Sequence, residues 1–337
     1  MGSSIDEILG NLSPSLRKKI SFANSLGKPE YAESPSIGLN RALGGGLRYG
    51  RQHMIYGNKS SGKSSLCLQM IGEEQRRGKT CAWIDAEQAY DTAWATRLGV
   101  DNGSLIVSEA RTINDMVDVG VALMEAGVDL IVVDSISSLL PAIFFEKDSD
   151  KLKDLVDTKQ IGAEARDMAH AVKMLNYANN RVNDTLLLLI SQTRNNIGAM
   201  YASIVPTGGK AVQFYSSTIV QLFSSESEAQ AITGDIYVGD KILQRKIGRK
   251  VRWDIKFSKT SPNFQSGEYD FYFDGKAVGV DVVADIVDTA ESFGIIVRAG
   301  AWYTVGEERY QGRDNLIKAV RESPDLQHML VSRLSQI

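Results

Sequence analysis

The chain has 337 residues, 43% of them hydrophobic and 23% charged, with a formal net charge of −3. Such a composition suits a globular chain with one large core and a small accessory domain, and it excludes a globally basic nucleic-acid binder, so binding of that kind has to come from a local patch. No apolar stretch reaches the roughly 18 residues of a spanning helix; the start, Met1 to Asp6, has no basic-then-apolar signal and carries Asp6 where acylation needs Ser or Thr.

A cytoplasmic protein with no membrane partner is therefore expected. Cys67 and Cys81 read as small core residues, and His53, His170 and His328 show no ligand spacing. Residues 5–27 carry an amphipathic pattern (Ile5, Ile8, Leu9, Leu12, Leu16, Ile20) divided by Pro14, which fits either a solvated end helix or one that packs on a neighbouring subunit. Gly27 to Pro35 reads as a linker, so residues 1–35 are expected to form an N-terminal oligomerisation helix and linker.

From Ile37 the pattern is alternating α/β. Apolar β-runs recur at Met54–Tyr56, Thr80–Ile84, Leu130–Val133, Leu186–Ile190 and Thr218–Phe223, the first four separated by helical patterns, which predicts a mostly parallel central sheet covered by helices. Ligands bind such sheets beyond the carboxyl ends of the strands. The first run leads into Gly57, Asn58, Lys59, Ser60, Ser61, Gly62, Lys63, Ser64 and Ser65, a P-loop between a strand and a helix. Its N–H groups would cradle phosphates of ATP, Lys63 would reach the β- and γ-phosphates, and the Ser64 hydroxyl would ligate Mg²⁺. The second run delivers Glu87, the third Asp134 for the water shell of the Mg²⁺, and the fourth Gln192, an amide able to bond a γ-phosphate and lose that bond after hydrolysis. The stretch 193–210, with Arg194, Asn195, Asn196, Tyr201 and Lys210 and few apolar anchors, has donors for phosphates and a stacking surface. Residues 241–259 form the densest basic cluster: Lys241, Arg245, Lys246, Arg249, Lys250, Arg252, Lys256 and Lys259.

These blocks resemble, in order, those of the bacterial RecA recombinases: the P-loop Ser60-Ser61-Gly62-Lys63, Thr80 to Asp91, Ile131 to Ser135, Arg194 to Tyr201 leading into Thr207 to Ala211, and Ala299-Gly300-Ala301-Trp302-Tyr303. The resemblance implies a RecA-type P-loop ATPase core over 36–273 and a small α+β C-terminal domain over 274–337, the latter gathering duplex DNA. It implies that Glu87 is the general base, that Gln192 reports the γ-phosphate, and that Asp91 and Trp94 contact adenine by hydrogen bond and stacking. Loops near 148–162 and 193–209 would contact DNA through Ile161, Gly162 and Arg166 and through Arg194, Asn195, Asn196, Ile197, Gly198, Met200, Tyr201, Gly208, Gly209 and Lys210. Two cations upstream of Pro262 would reach a neighbour's γ-phosphate. Lys256 matches one of them; the spacing of the other falls on Ser258, and Lys259 fits with a slip of one residue.

The activity implied is that of a DNA-dependent ATPase forming a head-to-tail helical homo-oligomer on single-stranded DNA and exchanging strands with homologous duplex. A ring-forming helicase or motor, or a recombination mediator with a regulatory ATPase, are the alternatives; the Gly-rich 193–210 loop argues against the first and the intact Lys63, Ser64, Glu87 and Asp134 against the second. The acidic tail of many family members has no counterpart before Ile337, from which weaker self-inhibition is expected.

Overall fold

The computed structural model describes residues 9, 11–17, 20, 28–145, 162–182, 184–195, 204–224, 230–238, 241–275 and 278–337. Residues Met1–Glu30 and Tyr31–Ile337 form separate units. In the first, α1 (Pro14–Arg17) is a single helical turn in which Arg17 Nε donates to the Leu12 carbonyl at 3.1 Å. Of the 5–27 pattern, Leu9, Leu12, Leu16 and Ile20 are among the described residues, whereas Ile5 and Ile8 lie outside them.

The second unit opens with a small pairing of β1 (Tyr31–Ala32) with β2 (Leu47–Arg48) around α2 (Ile37–Ala42). Its main sheet contains β3 (Gln52–Gly57), β4 (Cys81–Asp85), β5 (Leu105–Glu109), β6 (Leu130–Asp134), β7 (Leu186–Asn195) and β9 (Thr218–Phe223), parallel in the order β9-β3-β7-β6-β4-β5. Successive side chains of these strands divide between two cores. Ile55, Trp83, Val132, Leu188 and Val220 face one; Met54, Ile84, Val133, Leu189 and Ile219 face the other. With both faces covered, the strands read as continuous apolar runs rather than alternating ones. The helix α3 (Lys63–Arg76) covers the first face with Leu66, Cys67, Met70 and Ile71, and the short α4 (Thr92–Arg97) adds Ala95. Both cysteines are free and buried there. The second face is covered by α5 (Ile113–Glu125) and α6 (Ala163–Val182), and by α7 (Gly209–Tyr215), which packs on α6.

Beyond β9 the sheet continues antiparallel through β11 (Lys241–Ser258), β12 (Ser266–Tyr272) and β13 (Gly279–Val280), with β10 (Ala231–Val238) paired to the first half of β11. The basic cluster of 241–259 is thus a strand of 18 residues. Its cations alternate with Val251, Trp253 and Ile255, which are buried. The 193–209 stretch is also more regular than its composition suggested. β7 runs on to Asn195, and β8 (Ile204–Pro206) returns along it, pairing Thr193 with Pro206.

The C-terminal part has its own core. Helices α8 (Val282–Ser292), α9 (Arg313–Glu322) and α10 (Pro324–Ser335) pack with the antiparallel sheet β14 (Val297–Ala299), β15 (Trp302–Val305) and β16 (Glu308–Gln311) around Val287, Tyr303, Leu316 and Leu330. Two helices, α9 and α10, follow one another here, because Ser323 caps α10 and Pro324 takes its first position, where no backbone donor is needed. Within this part Arg313 pairs with Asp288 at 2.6 Å. Polar contacts also tie it to its surroundings: Arg313 reaches Asp270 on β12 at 3.4 Å, Arg321 pairs with Asp281, between β13 and α8, at 2.7 Å, and Arg41 on α2 donates to the Leu334 carbonyl. Deeper in, Asp285 on α8 accepts from Ser36 Oγ at 3.0 Å and from the Gly38 N–H at 3.2 Å.

Candidate nucleotide site

At the carboxyl end of the parallel sheet, α3 begins without a side-chain cap. α2, α4, α5, α8 and α10 each begin on a Ser, Thr or Asp whose oxygen accepts a first-turn N–H; α3 begins on Gly62, at φ 91, and α7 and α9 likewise begin uncapped on Gly208 and Gly312. The N–H groups of its first turn are left for a ligand, at the positive end of the helix dipole. Gly57 is required by close packing: a Cβ there would stand 2.3 Å from the Leu222 carbonyl oxygen and 2.6 Å from Ser61 Oγ. Ser60 turns the loop at φ 59, and Ser61 Oγ is buried without a hydrogen-bond partner. Asn58, Lys59 and Ser60 are exposed, and Ser65 is half-buried.

Lys63 is 8% exposed and donates to the carbonyls of Gly57 at 3.1 Å and Asn58 at 2.9 Å. Burial pulls its ammonium below the usual value, opposed by Asp134 and Glu87. Ser64 Oγ donates to Asp134 Oδ2 at 2.6 Å. Burial foremost, with Glu87 and Asp85 beside it, pushes the Asp134 carboxyl up to about 6 against the pull of Ser64 and Lys63. An oxygen pair of this kind, hydroxyl and carboxylate, suits a hard divalent cation that also takes substrate phosphate oxygens.

Glu87 Oε1 accepts from Ser135 Oγ at 2.5 Å and from Gln192 Nε2 at 2.9 Å. Residues just past the ends of β4 and β6 and one within β7 therefore meet on one carboxylate. Asp85, two residues earlier, is engaged differently: it accepts from the N–H groups of Ala89 and Tyr90 at 3.2 and 3.0 Å and so fixes the loop that carries Glu87. From Gln192 a chain of contacts leads into the β7–β8 hairpin. The Gln192 N–H donates to Ser137 Oγ at 2.8 Å, Thr207 N–H to the Gln192 carbonyl at 3.0 Å, and Ser137 bonds Thr207. Thr193 Oγ1 donates to Asn58 Oδ1 at 2.8 Å, tying that hairpin back to the P-loop. Ser135 and Thr207 were named from the sequence only as the bounds of matching blocks, with no role, and Ser137 not at all, for isolated hydroxyls carry no spacing signal.

The comparisons with known proteins agree with this geometry. The RecA N-terminal domain family matches residues 23–278 and the RecA C-terminal domain family residues 284–336. The chain belongs to the RecA family. It is 32% identical over 320 residues to Protein RecA of Paracoccus denitrificans, covering 94% of this chain and 83% of the relative. To Protein RecA of Chlorobaculum tepidum it is 36% identical over 299 residues, 88% of this chain and 80% of the relative.

The remaining expected residues of this RecA-family chain fall in three places. Asp91 Oδ1 caps α4 by accepting from Ala93 and Trp94 N–H groups at 2.8 and 3.0 Å. Trp94 donates from Nε1 to Ser65 Oγ at 3.2 Å and, with Phe271, Phe273 and Arg249, lines a cavity of about 230 Å³ that opens on Ser60, Gly62 and Ser65. Arg249, which reaches the Ser60 carbonyl at 3.1 Å, was named from the sequence only as part of the basic cluster, and Phe273 not at all; they stand on β11 and just after β12, over 150 positions from Trp94. Gly162 stands at the foot of α6, and Gly208 and Gly209 at the foot of α7, which packs on α6 with a Cβ at Gly209 standing 3.9 Å from Ala165. A Cβ on Gly208 would meet Val212 at 2.9 Å and Ile136 at 3.0 Å. Arg166 and Lys210 are exposed beside them, Arg166 3.5 Å from Asp167. Ile161, Asn196, Ile197, Gly198, Met200 and Tyr201 lie outside the described residues, as do the side chains of Arg194 and Asn195.

The basic strand separates the three positions considered for the acting cations. Lys256 is exposed and pairs with Asp254. Ser258 is 7% exposed, and its Oγ accepts from the N–H groups of Thr260 and Ser261, both at 3.1 Å, so it closes a turn. Lys259 is anchored to Ser217 by its N–H and is felt electrostatically by His53, both at the amino end of the parallel strands. Among the described residues no helix is long and apolar enough to cross a membrane.

Proposed function

We propose that this chain is an ATP-dependent DNA recombinase whose ATPase is stimulated by single-stranded DNA, and that it assembles head-to-tail on the strand, pairs it with homologous duplex and exchanges strands. The observation that carries the reading is the Glu87 carboxylate, held at once by Ser135 and by Gln192 at the rim of the P-loop. ATP is the substrate, bound by the Gly57–Ser65 loop, with Lys63 turning from the Gly57 and Asn58 carbonyls to the phosphates. Trp94, Phe273 and the second oxygen of Asp91 take the base. Ser64 and, through water, Asp134 would hold Mg²⁺, which would supply positive charge beside the phosphates.

Within that site Glu87 orients and deprotonates the attacking water as general base. Gln192, drawn from Glu87 toward a γ-phosphate, moves the hairpin to which Ser137 and Thr207 bind it. Nucleotide state and DNA affinity then bias each other reciprocally. Arg194 to Tyr201, Gly208 to Lys210, and Ile161 to Arg166 form the strand-binding surface, which holds backbone rather than reading bases, so binding is salt-dependent and nearly sequence-blind. Residues 36–273 form the ATPase core, 274–337 the duplex-gathering domain, and the protein works in the cytoplasm.

The test is the hydrolysis rate with and without poly-dT, for the unaltered chain and Glu87→Gln, with electron microscopy of the same mixtures. Strong stimulation, its loss in the variant by about 10²- to 10⁴-fold, and helical filaments in both are expected. Closed rings, or hydrolysis indifferent to DNA, would point to the motor or the mediator instead.

A further inference from the structure

Ser60 stands at φ 59, a left-handed conformation that glycine adopts freely and a residue with a Cβ does not. It takes the third place of a four-residue turn, Asn58 to Ser61, closed by the Ser61 N–H donating to the Asn58 carbonyl at 3.2 Å. A positive φ at that place belongs to the type II turn, where glycine is the usual occupant. Left-handed residues in such loops turn successive N–H groups to one side and so form the concavity that holds a phosphate. This P-loop therefore reaches a glycine conformation with a serine, and such a conformation persists only where its surroundings hold it.

Arg249 supplies the hold. Its Nη1 donates to the Ser60 carbonyl at 3.1 Å and to Ser224 Oγ, just past β9, at 3.2 Å. In a trans peptide the carbonyl and the N–H point in opposite directions. Arg249 fixes the carbonyl of the Ser60–Ser61 peptide and Asn58 fixes its N–H, so the plane cannot turn over without losing both bonds.

The side chain is launched from a rigid place. Arg249 pairs with Ala231 of β10 on one side and Phe271 of β12 on the other, and a donor built on a strand is placed more accurately than one on a loop. Its guanidinium lies 5.6 Å from the centre of the Phe273 ring. Phe273 in turn donates its N–H to the Ile247 carbonyl at 2.9 Å and accepts from Arg97 of α4 at 3.3 Å. Lys63 grips the same turn through the Asn58 carbonyl at 2.9 Å, but Lys63 is the group that leaves for the phosphates.

We infer that Arg249 is a positioning residue for this P-loop: it keeps the Ser60 turn in its phosphate-binding form after Lys63 has let go, and it sets how tightly the chain takes nucleotide, not how fast nucleotide is turned over. This rests on the ATP-hydrolysing reading above. The turn serves substrate and transition state alike, so the hold acts on both equally and appears in binding. Without it the loop has to be ordered at the moment of binding, and affinity falls.

Calorimetric titration of the DNA-free chain tests this, with ADP and with inorganic pyrophosphate, each in the presence of Mg²⁺. Arg249→Met keeps an apolar stem beside Phe273 and removes the donors. It weakens ADP binding by about tenfold, as the loss of a charge-assisted hydrogen bond should, and weakens pyrophosphate, which meets only the loop, by the same factor. Arg249→Lys, which can still donate to one carbonyl, falls between. In a Ser60→Gly background, where the turn needs no hold, Arg249→Met costs about twofold or less. In hydrolysis stimulated by single strands, Arg249→Met raises KM by the factor seen for ADP and keeps kcat within about twofold. Equal ADP affinity in Arg249→Met and the unaltered chain overturns the inference. So does a loss confined to ADP, which would make Arg249 a contact of the base, and so does a fall in kcat at unchanged KM. If the unaltered chain binds no ADP, the ATP-hydrolysing reading falls and takes this inference with it.

Discussion

Asp134 accepts a hydrogen bond from Ser64 at 2.6 Å and Asp285 accepts one from Ser36 at 3.0 Å, and burial raises both carboxyls, to about 6 and about 7. Their other neighbours differ. Around Asp134 stand Lys63, Glu87 and Asp85, charged side chains at the mouth of the P-loop, and its donor is a hydroxyl that a ligand can compete for. Around Asp285 stand the Gly38 N–H, the capping Ser36 and Asp288. These donors are fixed by the start of α2, and no ligand can take them without unpacking α8. A raised carboxyl therefore reports burial; whether the site acts on a substrate depends on how free its donors are to change partner.

The comparison can be broken at either end. The largest effect is expected from Asp134→Asn, which should lower the Mg²⁺-dependent ATPase by about 10- to 100-fold while leaving chemical stability equal or higher, since the neutral amide removes a buried charge. Asp285→Ala should do the reverse. Unfolding in denaturant should show a loss of about 2 kcal/mol, from donors left unpaired in a buried place, with the ATPase per folded molecule unchanged. Equal damage to both properties in both variants would erase the distinction.

The pH dependence sharpens it. The folded-state value of Asp285 lies above its ordinary 3.8, so its contribution to stability is fully present below 3.8 and is lost as pH rises through about 7. The slope from this group is at most about 1.4 kcal/mol per pH unit. Asp285→Asn should flatten stability over that window; a slope unchanged by the substitution would show that the carboxyl is not protonated in the folded chain. The smallest effects should come from the serines. Ser36→Ala should cost about 1 kcal/mol as a lost N-cap, whereas Ser64→Ala should stay within about 0.5 kcal/mol of the unaltered chain and raise the Mg²⁺ needed for half-maximal hydrolysis.

The parallel strands were legible because they are buried on both faces and so spell continuous apolar runs, and the P-loop because its spacing is local. β5 escaped notice: it is the edge strand, Leu105 alone of its residues is buried, and Ile106 and Val107 are 41% and 47% exposed, so no run stands out. β11 was hidden in another way. Alternate cations over a buried Val251-Trp253-Ile255 row look like a charge cluster when only charges are counted. Glu87, Asp134 and Gln192 could be found because each closely follows an apolar run, although Gln192 proves to lie within β7. Asp285 and Arg249 act through partners far away in sequence: Asp285 was not named at all, and Arg249 only as one charge of a basic cluster.

The contacts of α8, α9 and α10 with the main sheet have a consequence for any attempt to excise the C-terminal part. A chain cut before Val282 would leave Ser36 Oγ and the Gly38 N–H without their acceptor, Asp270 without Arg313, and Ile37 without its apolar cover. The remnant would carry a raw apolar patch and unpaired polar groups instead of a finished surface, and would tend to precipitate. The seam between the two matched domain families, from 278 to 284, is in this sense a boundary of descent and not of folding.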